Sequence, residues 1–153
     1  MRLSSTFFTS PMRIVFPTPA VYEHRSIFLQ AREKGDSLQT SADLDDTYTA
    51  GAPENDISIY RIIQELCSNI MKHGKASRLS IQSIAKNNQL EITLYHDGTG
   101  LSQEEFERLR YQVNGLGLKN IQNRIILLKG SIRFSSAPGD NRIVLQLPFM
   151  KMT

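Results

Sequence analysis

The stretch Asp56-Ile-Ser-Ile-Tyr60-Arg-Ile-Ile-Gln-Glu65-Leu-Cys-Ser-Asn69-Ile-Met-Lys72-His73 decides how the rest of the chain is read. Ile59, Ile62, Ile63, Leu66, Ile70 and Met71 recur at spacings of three and four, which predicts a helix over 56–73 with a wide apolar face. Asn55 or Asp56 can cap its start. Glu65, Asn69, Lys72 and His73, spaced 4, 3 and 1, form one polar stripe beside that face. On most amphipathic helices such a stripe simply meets solvent. A carboxylate and an amide one turn apart are also a suitable oxygen pair for Mg²⁺, which takes few protein oxygens and keeps the rest for water and phosphate.

Outward from this helix the pattern alternates. Arg78–Ile84 and Gln89–His96 read as strands joined by Lys86-Asn87-Asn88, where paired Asn tolerates the positive φ of a tight hairpin. Ser102-Gln-Glu-Glu105 is a capping box opening a short helix to about Tyr111. Leu116–Lys129 is a second strong helix, stopped by Gly130. Ser131–Ser136 and Arg142–Pro148 are strands around a Pro138-Gly-Asp-Asn141 turn. Upstream, Ser37–Leu44 reads as a strand and Asp45–Asn55 as a loop, while Val21–Lys34 has helical spacing. Residues 1–19 carry three prolines among Ser and Thr and read as an arm or edge segment, with a short strand at Met12–Phe16. The remainder, 20–153, reads as a single domain. The order argues for an α/β architecture, an α+β sandwich with helices packed on one face of a mixed, mostly antiparallel sheet.

Composition narrows the class. At 153 residues, 40% apolar and 22% charged, the chain has one domain's worth of material and a globular balance. No apolar run approaches the roughly 18–20 residues of a membrane span, so no membrane contact is expected of this segment, whatever anchors a longer parent. A single cysteine, Cys67, excludes an intrachain disulfide and a paired-cysteine zinc site, and points to a reducing, cytoplasmic setting. Charge is uneven: residues 1–60 hold 5 basic and 8 acidic side chains, and residues 61–153 hold 13 and 7. The basic half could favour a polyanion. It lacks the aromatic interleaving of a nucleic-acid binder, so no nucleic-acid partner is expected.

Two further patches carry glycines. His96-Asp97-Gly98-Thr99-Gly100 ends a strand with glycines that let the backbone turn sharply and approach a ligand. Asn114-Gly115-Leu116-Gly117-Leu118 runs into a helix, whose free N–H groups and dipole favour an anion. It is neither the dinucleotide fingerprint nor a Walker A loop. Alone, the first reads more readily as a plain strand-exit turn, and the second is a weak signal.

In this order, the three patches resemble the ATP-binding catalytic domain of sensor histidine kinases, the GHKL superfamily (HATPase_c) shared with DNA gyrase, heat-shock chaperone ATPases and MutL repair proteins. Gln64-Glu65…Asn69…Lys72-His73 resembles the first box of the kinases with a short ATP lid. Gly115-Leu-Gly-Leu118-Lys-Asn-Ile-Gln-Asn-Arg124 resembles the second glycine box and its helix. The resemblance runs from about Ile57 to Phe149, and more loosely back to Val21. It implies ATP and Mg²⁺ as ligands. Asn69 would hold the metal, Glu65 would orient or activate at the transfer step, and Lys72 and His73 would lie by the phosphates. His96, Asp97, Gly98, Gly100, Leu116 and Leu118 would also belong to the nucleotide-binding set, and Gly115 and Gly117 would let the lid backbone and helix start cradle the phosphates. The residues between Gly100 and Gly115 would be the lid.

The family's first glycine box reads Asp-x-Gly-x-Gly, its Asp accepting from the adenine amino group. Here His96 takes that place, and strand alternation with Leu90, Ile92 and Leu94 puts it on the pocket side. A neutral imidazole can accept one hydrogen bond and a protonated one none. His24, in Glu23-His-Arg-Ser26, lacks the acidic setting of a phosphoacceptor. The implied activity is therefore protein-histidine kinase chemistry toward a histidine outside this chain, on a dimerisation domain that hands the phosphate to a response regulator. The alternative is a pseudo-kinase, a regulatory module with a degenerate adenine site acting by protein contact.

Overall fold

Apolar side chains at every second position of 79–81, 90–94, 132–134 and 143–147 give four neighbouring strands one common buried face. The computed structural model describes residues 2–8, 39–45, 53–112 and 117–148. Its elements run β1 (Arg2–Phe8), β2 (Gln39–Asp45), α1 (Pro53–His73), β3 (Arg78–Lys86), β4 (Gln89–His96), α2 (Gln103–Leu109), α3 (Leu118–Leu127), β5 (Ser131–Ala137) and β6 (Asp140–Pro148). The strands form one six-stranded sheet in the order β1-β2-β3-β4-β6-β5. Only β2 and β3 pair in parallel, with α1 as the crossover between them; the other pairs are antiparallel. This is the expected mixed, mostly antiparallel α+β layer structure.

Helix α1 begins at Pro53, three residues before the expected start, inside the stretch read as a loop. Proline suits a first helical turn, where its missing N–H has no partner to lose and its φ is already helical. Ile59, Ile62, Ile63, Leu66, Cys67 and Ile70 of α1 join Leu118, Ile121 and Ile125 of α3 over the sheet's buried face. From α2, Phe106 stacks on Phe134 of β5 at 4.5 Å between ring centroids, and Gln103 Oε1 accepts from Phe134 N–H at 2.8 Å. All described helices therefore lie on one face. The other carries mostly polar or exposed positions such as Gln82, Ile84, Glu91 and Arg142.

The turns are tighter than the sequence reading. Asn87 and Asn88, both at positive φ (53° and 59°), close the β3–β4 hairpin, with Lys86 opposite Gln89. Pro138 and Gly139 alone close β5–β6, so Asp140 and Asn141 belong to β6. Helix α3 ends two residues before the expected Lys129, and Lys129 itself takes the left-handed position, with Gly130 N–H closing onto Ile125 C=O at 2.9 Å. The arm expected over 1–19 contributes edge strand β1, paired with β2. Residues 2–8 contain Thr and two Phe and no proline, a composition a strand accepts. The strand expected at Met12–Phe16 and the helix at Val21–Lys34 lie outside the described residues.

Candidate functional site

Helix α1 delivers its polar stripe to the end of the sheet where β4 stops. The fixed point is a backbone bond: Thr99 N–H donates to Gly74 C=O at 2.7 Å, tying the loop after β4 to the residue that follows α1. Gly98 makes that approach possible. A β-carbon on it would overlap the Gly74 carbonyl, and backbone cannot step aside as a side chain can.

A second lock comes from β6. Buried Asn141 stands opposite His96 in the sheet register. Its Nδ2 donates to His96 C=O at 3.2 Å and to Gly98 C=O at 2.5 Å, while its Oδ1 accepts from Ser136 Oγ–H at 2.7 Å. A β-carbon on Gly100 would strike this Asn141 side chain. The glycines at 98 and 100, read as leaving room for a ligand, thus leave room for the protein's own backbone and for Asn141. Asp97 also turns to the protein. Its carboxylate accepts from Ser77 N–H at 2.8 Å, Arg78 N–H at 2.9 Å and the Ser77 hydroxyl, securing the start of β3. The Ser77 hydroxyl above all, helped by the backbone N–H groups of Arg78 and Ser77, holds the Asp97 carboxyl below the usual carboxylate range despite the opposing effect of desolvation.

Between these locks lies a cavity of about 120 Å³, floored by apolar Leu66, Ile70, Leu101, Phe134 and Ile143. Asn69, His73, Gly74, His96, Thr99, Gly100 and Leu118 complete its lining. Apolar walls with a few polar groups at the rim are the make-up of a small-molecule site. His96 is 6% exposed. Gly98 N–H donates to its Nδ1 at 3.3 Å. Burial pulls the basicity of the ring down, and the Asp97 charge offsets this only in part.

The third patch meets the first directly. Gly117, at φ 69°, is the N-cap of α3, and no side chain caps that end. The Glu65 carboxylate lies against it, so close that a β-carbon on Gly117 would overlap Oε1. A carboxylate beside a helix N-terminus is electrostatically favoured. Leu118, the first residue of α3, is buried and lines the cavity. Of the expected site residues, Asn69, His73, His96, Gly100 and Leu118 therefore line one cavity, and Glu65 and Gly117 touch each other. Lys72 is exposed in the last turn of α1. Gly115 and Leu116 lie outside the described residues. Asn141 is the residue sequence reasoning missed. Asn in a Pro-Gly-Asp-Asn run reads as turn chemistry, and nothing local marks it as facing a loop more than forty positions away.

A family profile described as "Histidine kinase-, DNA gyrase B-, and HSP90-like ATPase" matches residues 54–151. The chain belongs to this ATPase family. Among its relatives are the sensor histidine kinase ComP of Bacillus subtilis, 31% identical over 86 residues, and the histidine-protein kinase/phosphatase UhpB of Salmonella typhimurium, 28% identical over 100 residues. Those matches cover 56% and 65% of this chain but only 11% and 19% of the relatives, so it spans less than a fifth of either. Solved structures agree on the fold. The histidine kinase AdeS of Acinetobacter baumannii superposes with a TM-score of 0.66 at 20% identity, covering 80% of this chain and 61% of that one. The ATP binding domain of PrrB from Mycobacterium tuberculosis does so with 0.61 at 23% identity, covering 81% and 89%. The chain's resemblance to the histidine kinase ATPases is thus a true relationship, and the α+β sandwich is that ATPase fold.

Proposed function

We propose that this ATPase domain is the catalytic part of a two-component sensor histidine kinase, binding Mg²⁺–ATP and passing the γ-phosphoryl group to a histidine outside this chain, from which a response regulator takes it. The observation that carries the reading is the convergence of Asn69, His96 and Leu118 on one cavity, with Glu65 set against Gly117 at its α3 side. The purine ring would enter the cavity and the phosphates would run toward the start of α3.

Magnesium fits this donor set. Among the described residues no cluster of three His, Cys, Asp or Glu side chains exists, so a metal held mainly by protein ligands is not supported. Mg²⁺ does not need one: one amide oxygen on Asn69, with phosphate and water, matches its preference. When bound, the ion supplies neutralisation of charge on the phosphate oxygens. The chain's own groups do the rest. The free N–H groups opening α3 would donate to phosphate oxygens. Glu65 would accept a hydrogen bond from the incoming imidazole and aim its free nitrogen in line with the γ-phosphorus. Lys72 would add positive charge near the phosphates from the end of α1. Burial pushes the Cys67 thiol up to about 12, so it takes no part.

His96 supports a second reading, a regulatory module that contacts partners and holds nucleotide weakly. Titration calorimetry with a non-hydrolysable ATP analogue, with and without Mg²⁺, separates the two. Metal-dependent binding that Asn69→Ala removes supports the kinase reading. Binding that ignores both the metal and Asn69 would leave only the regulatory one.

A further inference from the structure

The end of the domain away from the cavity carries a surface of its own. Helix α1 finishes at the cavity, where Gly74 C=O accepts from Thr99 N–H. Its 21 residues make it about 30 Å long, so its first turn lies at the far end of the sheet. Helix α3 runs the other way. It starts at the cavity with Leu118 and leads through Gly130 into β5, whose Ser131 pairs with Gln146 next to Glu91, toward the β3–β4 hairpin. The two helices touch, so the start of α1 and the end of α3 share the far end of the helical layer. Ile57 of α1 is exposed there, as are Ile126 and Leu127 of α3, the last two at 61% and 81%. Leu118, Ile121 and Ile125 already supply the core face of α3, so Ile126 and Leu127 add nothing to it. Adjoining aliphatic groups on a solvent face mark a contact surface.

Charge says what covers it. Residues 35–60 hold six acidic side chains and no basic one, while residues 108–139 hold six basic and no acidic one. At the far end the first set supplies Asp45, which closes β2, with Glu54 and Asp56 in the first turn of α1. The second supplies Arg124 and Lys129 at the close of α3, and among the described residues neither is paired with an acid. An apolar centre is thus flanked by acidic positions on the α1 side and basic ones on the α3 side. A partner of a single sign would be repelled by one flank. A second copy, turned about a two-fold axis through the apolar centre, sets each flank against its opposite. We propose that this end of the domain is an isologous contact surface through which two copies of the chain pair, Ile126 and Leu127 of each copy packing at the axis. The cavities lie at the outer ends of such a pair and stay open.

Sedimentation equilibrium of the full chain, from micromolar to millimolar concentration, tests this. The chain should show a reversible monomer–dimer equilibrium that weakens as salt is raised. Ile126→Gln with Leu127→Gln should raise the dimer dissociation constant at least about tenfold. Both side chains are exposed, so thermal unfolding of that variant should match the unaltered chain. Charge reversal gives the sharper check. Lys129→Glu alone should weaken pairing, as should Glu54→Lys with Asp56→Lys, because each then sets like charges together across the axis. An equimolar mixture of these two variants should restore the dimer, since every contact across the axis is again between opposites. If the acidic-side variant fails to fold, the salt and Gln arms still decide. A chain that stays monomeric throughout, a dimer that the Gln substitutions leave as tight as before, or folded charge variants that stay monomeric when mixed would overturn the proposal.

Discussion

Gly117 and Glu65 are in direct steric contact: the glycine opens α3 at φ 69°, and the space its missing side chain leaves is filled by the Glu65 carboxylate. The contact joins the α1 stripe to the start of α3, 52 positions apart in the chain. Gly117→Ala meets both a left-handed backbone and this carboxylate, and should lower unfolding free energy by more than about 1 kcal/mol. Glu65→Ala removes the steric part. A double-mutant cycle by urea denaturation should then show that Gly117→Ala costs less in the Glu65→Ala background. Equal costs in both backgrounds would mean that the contact carries no energy.

Asn141→Ala leaves the carbonyls of His96 and Gly98 and the Ser136 hydroxyl without this partner. Each buried group so stranded costs about 1–3 kcal/mol, so a loss of roughly 2–4 kcal/mol is expected, with nucleotide affinity falling as the loop after β4 loosens. Asn141→Asp keeps an acceptor for Ser136 but supplies no donor, and should be nearly as damaging. Thermal unfolding of the two variants checks the order. A mild effect from either would show that the amide is not what holds the loop.

Asn69→Ala should weaken Mg²⁺-dependent nucleotide affinity about tenfold or more while leaving metal-free affinity little changed. Comparison of titrations with and without chelator reads the difference directly. Equal losses in both conditions would assign Asn69 to the nucleotide rather than the metal.

Stability should fall with acid in two stages. His96 is harder to protonate folded than at its ordinary 6.5, because burial disfavours the charge. Below 6.5 the unfolded chain therefore binds a proton the native chain does not, and stability drops until the lower native value is passed. Asp97 is held below its ordinary 3.8, so its contribution is present above 3.8 and is lost as pH falls through the native value. Urea denaturation in steps from neutral to acid should show both stages. His96→Asn should lose the upper one and Asp97→Asn the lower. Persistence of the upper slope without His96 would refute this assignment.

The elements built from local pattern are legible in the sequence. Ile59 to Ile70 specify α1 by spacing alone, Asn87-Asn88 marks its hairpin, and the Ser102–Glu105 capping box forms as read, with Ser102 Oγ accepting from Glu105 N–H at 3.2 Å. The start of α1 at Pro53 is less so, because Pro and Gly in one short run signal a loop as readily as a first turn. The parallel β2–β3 pairing depends on how α1 returns the chain, which no residue of β2 announces. At the site, residue types identify the patches, but the tasks of Gly98 and Asn141 do not show locally. Each is set by a segment at least 24 positions away, Gly74 for one and His96 for the other, and close approach between distant segments leaves no periodic trace.

The most direct test of the central claim, that one purine nucleotide spans from His96 to the start of α3, is a nuclear magnetic resonance titration of the labelled chain with Mg²⁺ and a non-hydrolysable purine triphosphate. The amides of Gly98, Gly100, Gly117 and Leu118 should shift together along one saturable curve. No shift at millimolar nucleotide, or shifts confined to the open face of the sheet around Gln82 and Arg142, would contradict the account.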